Sequence, residues 1–193
     1  MNSLTTRCMA VFALGASLAG AADAPFTLTS PDWPANQPIA ERFMANTWGC
    51  HGGNESPELK WNNPPAGTKS FAVTIFDPHT PPSSGWWHWL IYDIPASATG
   101  LSRTAGDAGS AALPAGAKQV RPDGEAPEPH YYGPCPDAGD PPHQYTITVY
   151  ALKVGHLPVP ATSTPANLEA FMVDQALGKA TIVHPFSRQK KGQ

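Results

Sequence analysis

Two histidine-bearing stretches of the sequence combine residue types that bind small charged ligands. The first, DPHTPPSSGWWHW, begins at Asp77 and contains His79 and His88 on either side of a proline-rich turn. The second, YYGPCPDAGDPPHQY, ends with His143 and Tyr145 two residues apart. Imidazoles and a tyrosine hydroxyl donate hydrogen bonds to oxygen atoms, and a neighbouring carboxylate holds an imidazole in one orientation. This chemistry suits a small anion such as a phosphate or a carboxylate.

The same side chains also allow a second interpretation, a metal site. Asp77, His79, His88 and His143 offer the nitrogen and oxygen ligands that zinc or copper accepts. That interpretation requires at least three of them to converge on one point within coordination distance. No sequence motif supports hydrolase activity, because the two serines of the PPSSG turn are not part of a G-x-S-x-G elbow.

Strands must position these residues, and three segments predict them strongly. Ser70–Asp77, Trp86–Ile94 and Tyr145–Leu152 are rich in β-branched and aromatic residues, are bounded by Gly or Pro, and are apolar on both faces over much of their length. We therefore expect central strands of a sheet that is covered on both sides. Weaker strand signals are Phe26–Ser30, Ile39–Met44 and Ala180–Phe186.

The two-residue period of a strand assigns the aromatic residues of the second segment to opposite faces. Trp86 and His88 are predicted to share the face that lines a pocket, whereas Trp87 and Trp89 are predicted to point together into the core. His143 and Tyr145, at the end of the second stretch, are predicted to share a face in the same way. Because the preceding strand ends at Asp77, we expect the polar residues to gather at one end of the sheet.

One helix is predicted, over TPANLEAFMVDQALGK. Thr164 can cap it, Pro165 occupies its first position, and Gly178 is predicted to end it. The apolar stripe consists of Leu168, Phe171, Met172 and Ala176. The region from Gly100 to about Tyr131 is predicted to be one long loop, which in a compact domain is usually functional or partly disordered.

Composition favours a β-rich protein and argues against a nucleic-acid partner. Charged residues make up 14% of the 193 residues, whereas prolines number 23 and glycines 17, which is typical of many rigid turns and few long helices. Twelve Lys and Arg against fifteen Asp and Glu give a formal net charge of −3. Since no basic run is long enough to follow a phosphate backbone, we expect no binding to nucleic acid.

The N-terminus reads as a secretory signal peptide. Arg7 precedes an apolar run and then small residues, which predicts a signal over residues 1–22 and a single domain over residues 23–193. The apolar run is shorter than the roughly 20 residues of a membrane-spanning helix, and no later segment is apolar enough to span. Once Cys8 has left with the signal, Cys50 and Cys135 remain in an oxidising compartment.

Several motifs together resemble the phosphatidylethanolamine-binding protein family, and specifically its bacterial Raf-kinase-inhibitor-like branch. They are SPELKW, PPAGTKSFAVTIFDP, WHWLIYDIP, YYGPCP and HQYTITVYAL, and the resemblance covers about residues 26–188. It implies an antiparallel β-sandwich with a large and a smaller sheet, and a cavity for phosphoryl-bearing ligands at one sheet end. By position it assigns the cavity to Asp77, Pro81, Trp86, His88, Gly133, Pro134, His143 and Tyr145.

The resemblance also sets expectations about the site and the biology. Gly133 is expected to let a ligand approach the backbone, and His79 stands where the family has a second acid, so it joins the predicted ligand-binding residues. Cys50 and Cys135 are expected to lie close together near the cavity, as a disulfide would require. We expect an exported binding protein for a small anion or phospholipid head group, without a cofactor and not an enzyme. The family further implies a homodimer, and regulation through protein contact.

Overall fold

The architecture is a two-layer β-sandwich with one helix packed on the outer face of the larger sheet. A computed structural model describes residues 24–35, 37–80, 85–122, 126–160 and 163–190. The elements are β1 (Thr27–Thr29), a 3₁₀ turn (Glu41–Phe43), β2 (Leu59–Asn62), β3 (Ser70–Asp77), β4 (Trp86–Pro95), β5 (Gly100–Leu101), β6 (Lys118–Gln119), β7 (His143–Leu152), α1 (Pro165–Gln175) and β8 (Ala176–Phe186). The predicted signal peptide lies outside the described residues.

The two sheets are antiparallel and differ in size. The smaller has the order β1-β2-β5, and the larger has the order β6-β4-β3-β7-β8. One buried cluster fills the space between the sheets and takes residues such as Leu28 and Trp61 from the small sheet and Val73 and Ile147 from the large one. A second cluster lies between the large sheet and α1, where Leu168 and Met172 of the helix are buried. The predicted β-sandwich with a large and a smaller sheet is confirmed.

A β-bulge in β4 changes the predicted direction of one tryptophan. Ile75 pairs with Trp89 and Phe76 pairs with Trp87, so His88 is an extra residue in the ladder. Trp87 therefore packs in the cluster beside α1, whereas Trp89 packs in the cluster between the sheets. Both are core residues as predicted, but the expectation that they share a face is wrong, because a strict two-residue period does not hold across a bulge.

The other element predictions are confirmed in part. Thr164 caps α1 by accepting a hydrogen bond from the Asn167 amide at 3.3 Å. The helix ends at Gln175, however, and Gly178 lies within β8 rather than at a helix end, since the chain turns directly into that strand. Ile39–Met44 contains a 3₁₀ turn instead of a strand.

Further strands appear where none was predicted. β2 was missed, and β5 and β6 lie inside the predicted long loop. Within the described residues, no helix has the length and hydropathy that crossing a membrane requires.

Candidate functional site

Three of the predicted site residues meet at one end of the large sheet. Asp77 is the last residue of β3 and pairs with Trp86, the first residue of β4. His143 is the first residue of β7, which is antiparallel to β3 and flanks it on the other side. Antiparallel neighbours bring the end of one strand beside the start of the next. The predicted gathering of polar residues at a sheet end is therefore what the topology produces.

Asp77 is the buried centre of this cluster. Its carboxylate accepts hydrogen bonds from His143 Nδ1 at 2.6 Å, from the His79 amide at 2.9 Å and from Thr80 Oγ1 at 3.0 Å. Burial alone would raise the pKa of Asp77, but the hydrogen bonds from His143 and His79 outweigh it, so that the pKa is lowered. The residue is thus a buried carboxylate that stays ionised and orients its neighbours.

His143 links this carboxylate to the surface. Since its Nδ1 donates to Asp77, the free ring nitrogen is Nε2, which lies 3.8 Å from Oδ2 of the half-exposed Asp140. The His143 ring is stacked on Tyr145 with centroids 6.3 Å apart, as expected for residues on one strand face. Burial, and then the charge of Asp77, raise the pKa of the Tyr145 hydroxyl, which therefore remains a neutral donor.

His88 is held differently from His143. Its Nδ1 lies 2.8 Å from the Tyr132 carbonyl oxygen, which can only accept, so Nδ1 carries the proton and Nε2 carries a lone pair. Burial is the main cause that lowers the pKa of His88 from 6.5 to about 4. Its ring contacts Trp86 edge-on at 4.5 Å and Tyr145 at 5.1 Å, both between centroids. His88 is thus a neutral imidazole at neutral pH.

His79 lies at the rim of the cluster. Its side chain is half exposed, and its Nδ1 is 3.6 Å from Asp77 Oδ1. Its ring centroid is 5.7 Å from that of His143, so two imidazoles flank the buried carboxylate. Pro81, which was also predicted to line the cavity, lies outside the described residues.

Gly133 and Pro134 support the site from behind. The Gly133 amide donates to Asn54 Oδ1 at 2.8 Å, so it does not offer its hydrogen to a ligand. A Cβ at this position would lie 2.2 Å from the Phe43 carbonyl oxygen. Glycine is required here because two loops pack together, and the approach of a ligand to the Gly133 backbone stays a prediction. The Pro134 carbonyl accepts from the Ala45 amide at 3.3 Å, which joins the same loops.

A disulfide ties these loops together. Cys50 and Cys135 are bonded, with Cα atoms 6.0 Å apart, which confirms the predicted proximity. The bond holds the segment that contains Trp48 next to the segment that contains Tyr132. The Trp48 ring lies 5.4 Å from the rings of both Trp86 and Tyr132, so these three aromatic residues form a wall beside His88.

Sequence reasoning missed three contributors to this region. Trp48 and Asn54 lie between predicted strands in a segment without a periodic pattern, and Asp140 lies in a Gly/Pro turn. The sequence did contain one indication for Trp48. It is followed by Gly and then by a cysteine, which is consistent with a turn held by a disulfide. Nothing in the sequence indicates that Asn54 bonds both the Tyr131 carbonyl and the Gly133 amide.

The geometry that a metal site requires is not met by the residues that the structure describes. Among them, no group of three or more His, Cys, Asp and Glu side chains is placed to hold a metal ion. The arrangement instead presents the hydrogen-bonded pair of Asp77 and His143, the neutral imidazole of His88 and the hydroxyl of Tyr145.

Comparison with known proteins places this architecture in a family. The family model described as phosphatidylethanolamine-binding protein matches residues 29–187, nearly the whole described chain. The chain belongs to the phosphatidylethanolamine-binding protein family. The family's members differ widely in sequence, so particular relatives show how far the likeness extends.

Two relatives from Escherichia coli strain K12 match over most of their length. The UPF0098 protein YbcL is 44% identical over 144 residues, which cover 74% of this chain and 77% of YbcL. The UPF0098 protein YbhB is 36% identical over 160 residues, which cover 83% of this chain and 99% of YbhB. The crystal structure of YbcL superimposes with a TM-score of 0.79 at 39% identity, over 86% of this chain and 100% of that one.

Proposed function

We propose that this chain binds a small anion, a phosphate or carboxylate group or the phosphoryl head group of a phospholipid, and that it is not an enzyme. The observation that carries the proposal is the hydrogen bond of 2.6 Å between Asp77 and His143 at the end of the sheet. A buried carboxylate that fixes one ring nitrogen turns the other toward the rim, where it can form a hydrogen bond with a ligand.

The surrounding groups favour an oxygen-rich ligand. Tyr145 supplies a neutral hydroxyl next to His143, and His79 adds a second imidazole at the rim. The acid Asp140, whose Oδ2 lies 3.8 Å from His143 Nε2, stands nearby and opposes an anion. A phosphoryl group agrees with the ligand named in the family's description. Thr80 Oγ1 donates to Asp77, but the lowered pKa of Asp77 makes this carboxylate a weak base for activating a nucleophile.

We also propose that the protein is exported. The signal-like N-terminus and the Cys50–Cys135 disulfide support this, since disulfides form and persist in oxidising compartments. The binding protein would then act in the periplasm or outside the cell.

The test of the binding proposal begins with the identity of the ligand. Native mass spectrometry of protein purified without added ligand or chelator reports any retained phosphate, lipid or metal. Calorimetric titrations with inorganic phosphate, acetate and glycerophosphoethanolamine then separate a free anion from a head group. A tightly retained metal with no anion affinity would contradict the proposal.

Substitutions connect binding to the named side chains. His143→Gln should abolish phosphate binding, because the imidazole that Asp77 orients is lost. His79→Asp should weaken it by about 1–3 kcal/mol, because a carboxylate that repels the anion replaces an imidazole at the rim. His51→Gln, a change of an exposed histidine elsewhere, is the control. Equal affinities of all four proteins at every pH would show that the anion binds elsewhere.

A further inference from the structure

A separate groove lies on the far side of the aromatic wall. It has a volume of about 490 Å³ and is lined by Asn46, Thr47, Trp48, Gly53, Asn54, Asp107, Ala108, Pro127, His130 and Tyr132. Neither Asp77 nor His143 is among these residues. We call it the Trp48 groove. Its volume is in the range of small-molecule sites, about 300–1,000 Å³.

Trp48 is the unusual residue of this groove. Its backbone has φ 53°, in the left-handed region that bulky side chains rarely adopt, and the next residue, Gly49, has φ 77°. Trp48 is nevertheless 41% exposed and is one of four large apolar residues of the described chain that are exposed. The neighbouring disulfide keeps the turn in place. A strained backbone that keeps an aromatic ring partly exposed to solvent indicates that the ring contacts a ligand.

The second aromatic wall of the groove is also fixed. Tyr132 is stacked on His130 with ring centroids 4.1 Å apart and an interplanar angle of 23°. His130 Nδ1 lies 2.6 Å from the Tyr131 carbonyl oxygen, so it donates there and leaves Nε2 as an acceptor. Within the described residues, neither this Nε2 nor the Asn46 amide has a hydrogen-bond partner. The groove therefore combines flat aromatic surface with uncommitted polar groups.

The charge of the lining limits the class of ligand. Asp107 is the one acid among the lining residues that the structure describes, and its Oδ1 already accepts from the Ser56 amide at 2.7 Å. No Lys or Arg belongs to the part of the lining that the structure describes, so an anion has no counter-charge here. Asn46 and Thr47 offer donors and acceptors together, which matches hydroxyl groups, since each hydroxyl is both. The C–H face of a sugar ring, weakly positive, complements the negative face of an indole.

We propose that the Trp48 groove is a second binding site, for a neutral sugar ring, whose face stacks on Trp48 and whose hydroxyls bond to Asn46, Asp107 and His130. This site is additional to the anion site and does not depend on it. The sugar can be a free mono- or disaccharide or a residue of a larger glycan. The groove is large enough to hold a free sugar or the end residue of a larger glycan.

The experiment follows the indole N–H signals of isotope-labelled protein by NMR during titration. The first probes are glucose, galactose, mannose and N-acetylglucosamine. Soluble oligosaccharides of whichever sugar binds are titrated next. The comparison of the two affinities shows whether the site prefers a free sugar or a residue of a glycan. Tetramethylammonium chloride is a parallel probe for a cation site. We expect saturable shifts with at least one neutral sugar and none with tetramethylammonium.

The variants locate the binding. Trp48→Gly removes the ring and relieves the left-handed backbone, so it keeps the fold, and should weaken sugar binding about tenfold. His130→Ala and Asn46→Ala should each weaken it less. Val183→Ala changes an exposed apolar residue of β8 outside the groove and should have no effect. The proposal is overturned if no neutral sugar shifts the spectrum, if Trp48→Gly binds as tightly as the native protein, or if only tetramethylammonium binds.

Discussion

Burial of neutral His88 should make the protein less stable as the pH falls from about 6.5 to about 4. His88 is 5% exposed, and burial lowers its pKa from 6.5 to about 4. The unfolded chain therefore takes up a proton as the pH falls below about 6.5, while the folded protein does not until about pH 4. The stabilisation is fully present above pH 6.5 and is lost as the pH falls toward 4.

The size of the effect follows from the two pKa values. One pKa unit corresponds to about 1.4 kcal/mol, so the change from 6.5 to about 4 amounts to about 3 kcal/mol of unfolding free energy. That is a large part of the roughly 5–15 kcal/mol by which a domain is stable. Other groups titrate in the same range, including the buried His184, whose pKa burial also lowers. The effect of His88 must therefore be measured as a difference.

The matched variant is His88→Asn. Its side-chain amide can donate to the Tyr132 carbonyl as Nδ1 does, but it does not titrate. Urea unfolding at a series of pH values from neutral to about 4 gives the unfolding free energy of both proteins. The native protein should lose about 3 kcal/mol more than the variant over this range, while the exposed His51→Asn should follow the native protein. Parallel curves for native protein and His88→Asn would refute the reasoning.

Three further predictions concern the scaffold and its compartment. Replacing Cys50 and Cys135 together by Ala should lower the unfolding free energy by about 4–5 kcal/mol, the chain-entropy value for a sequence separation of 85, measured in urea; an unchanged midpoint would contradict it. Gly133→Ala should lower the unfolding free energy by about 1–3 kcal/mol or more, because its Cβ would meet the Phe43 carbonyl at 2.2 Å. Gly155→Ala, with open space around it, should be close to neutral in the same assay. Fractionation with N-terminal sequencing should find the mature chain beginning near Asp23; an intact Met1 in the cytoplasm would oppose export.

The sequence predicted the sheet end well because local patterns determine it. Ser70–Asp77 was predicted with the bounds it has, and Asp77 and His143 meet because they terminate adjacent antiparallel strands. These features need only the period of a strand and a turn of the right length.

What was not predicted depends on contacts between distant segments. The bulge at His88 arises from pairing with β3, and no local pattern marks it. The packing role of Gly133 depends on a loop about ninety residues earlier in the chain, near Phe43. β2 was missed because its four residues, LKWN, alternate too briefly to stand out from the neighbouring loops. The family resemblance supplied the positions of these residues but not the reasons for them.

The two buried imidazoles of the site have different chemical roles, and this restricts the proposed ligand. His143 donates through Nδ1 to Asp77 and presents Nε2 near the rim, beside Asp140. His88 donates through Nδ1 to a carbonyl, its pKa is lowered to about 4, and its Nε2 accepts. In the proposed complex, a ligand oxygen that contacts Nε2 of His88 must therefore carry a proton. A phosphate monoanion meets this condition through its P–OH group, whereas a carboxylate anion has no proton to donate. Of the two anions proposed, phosphate is for this reason the better match.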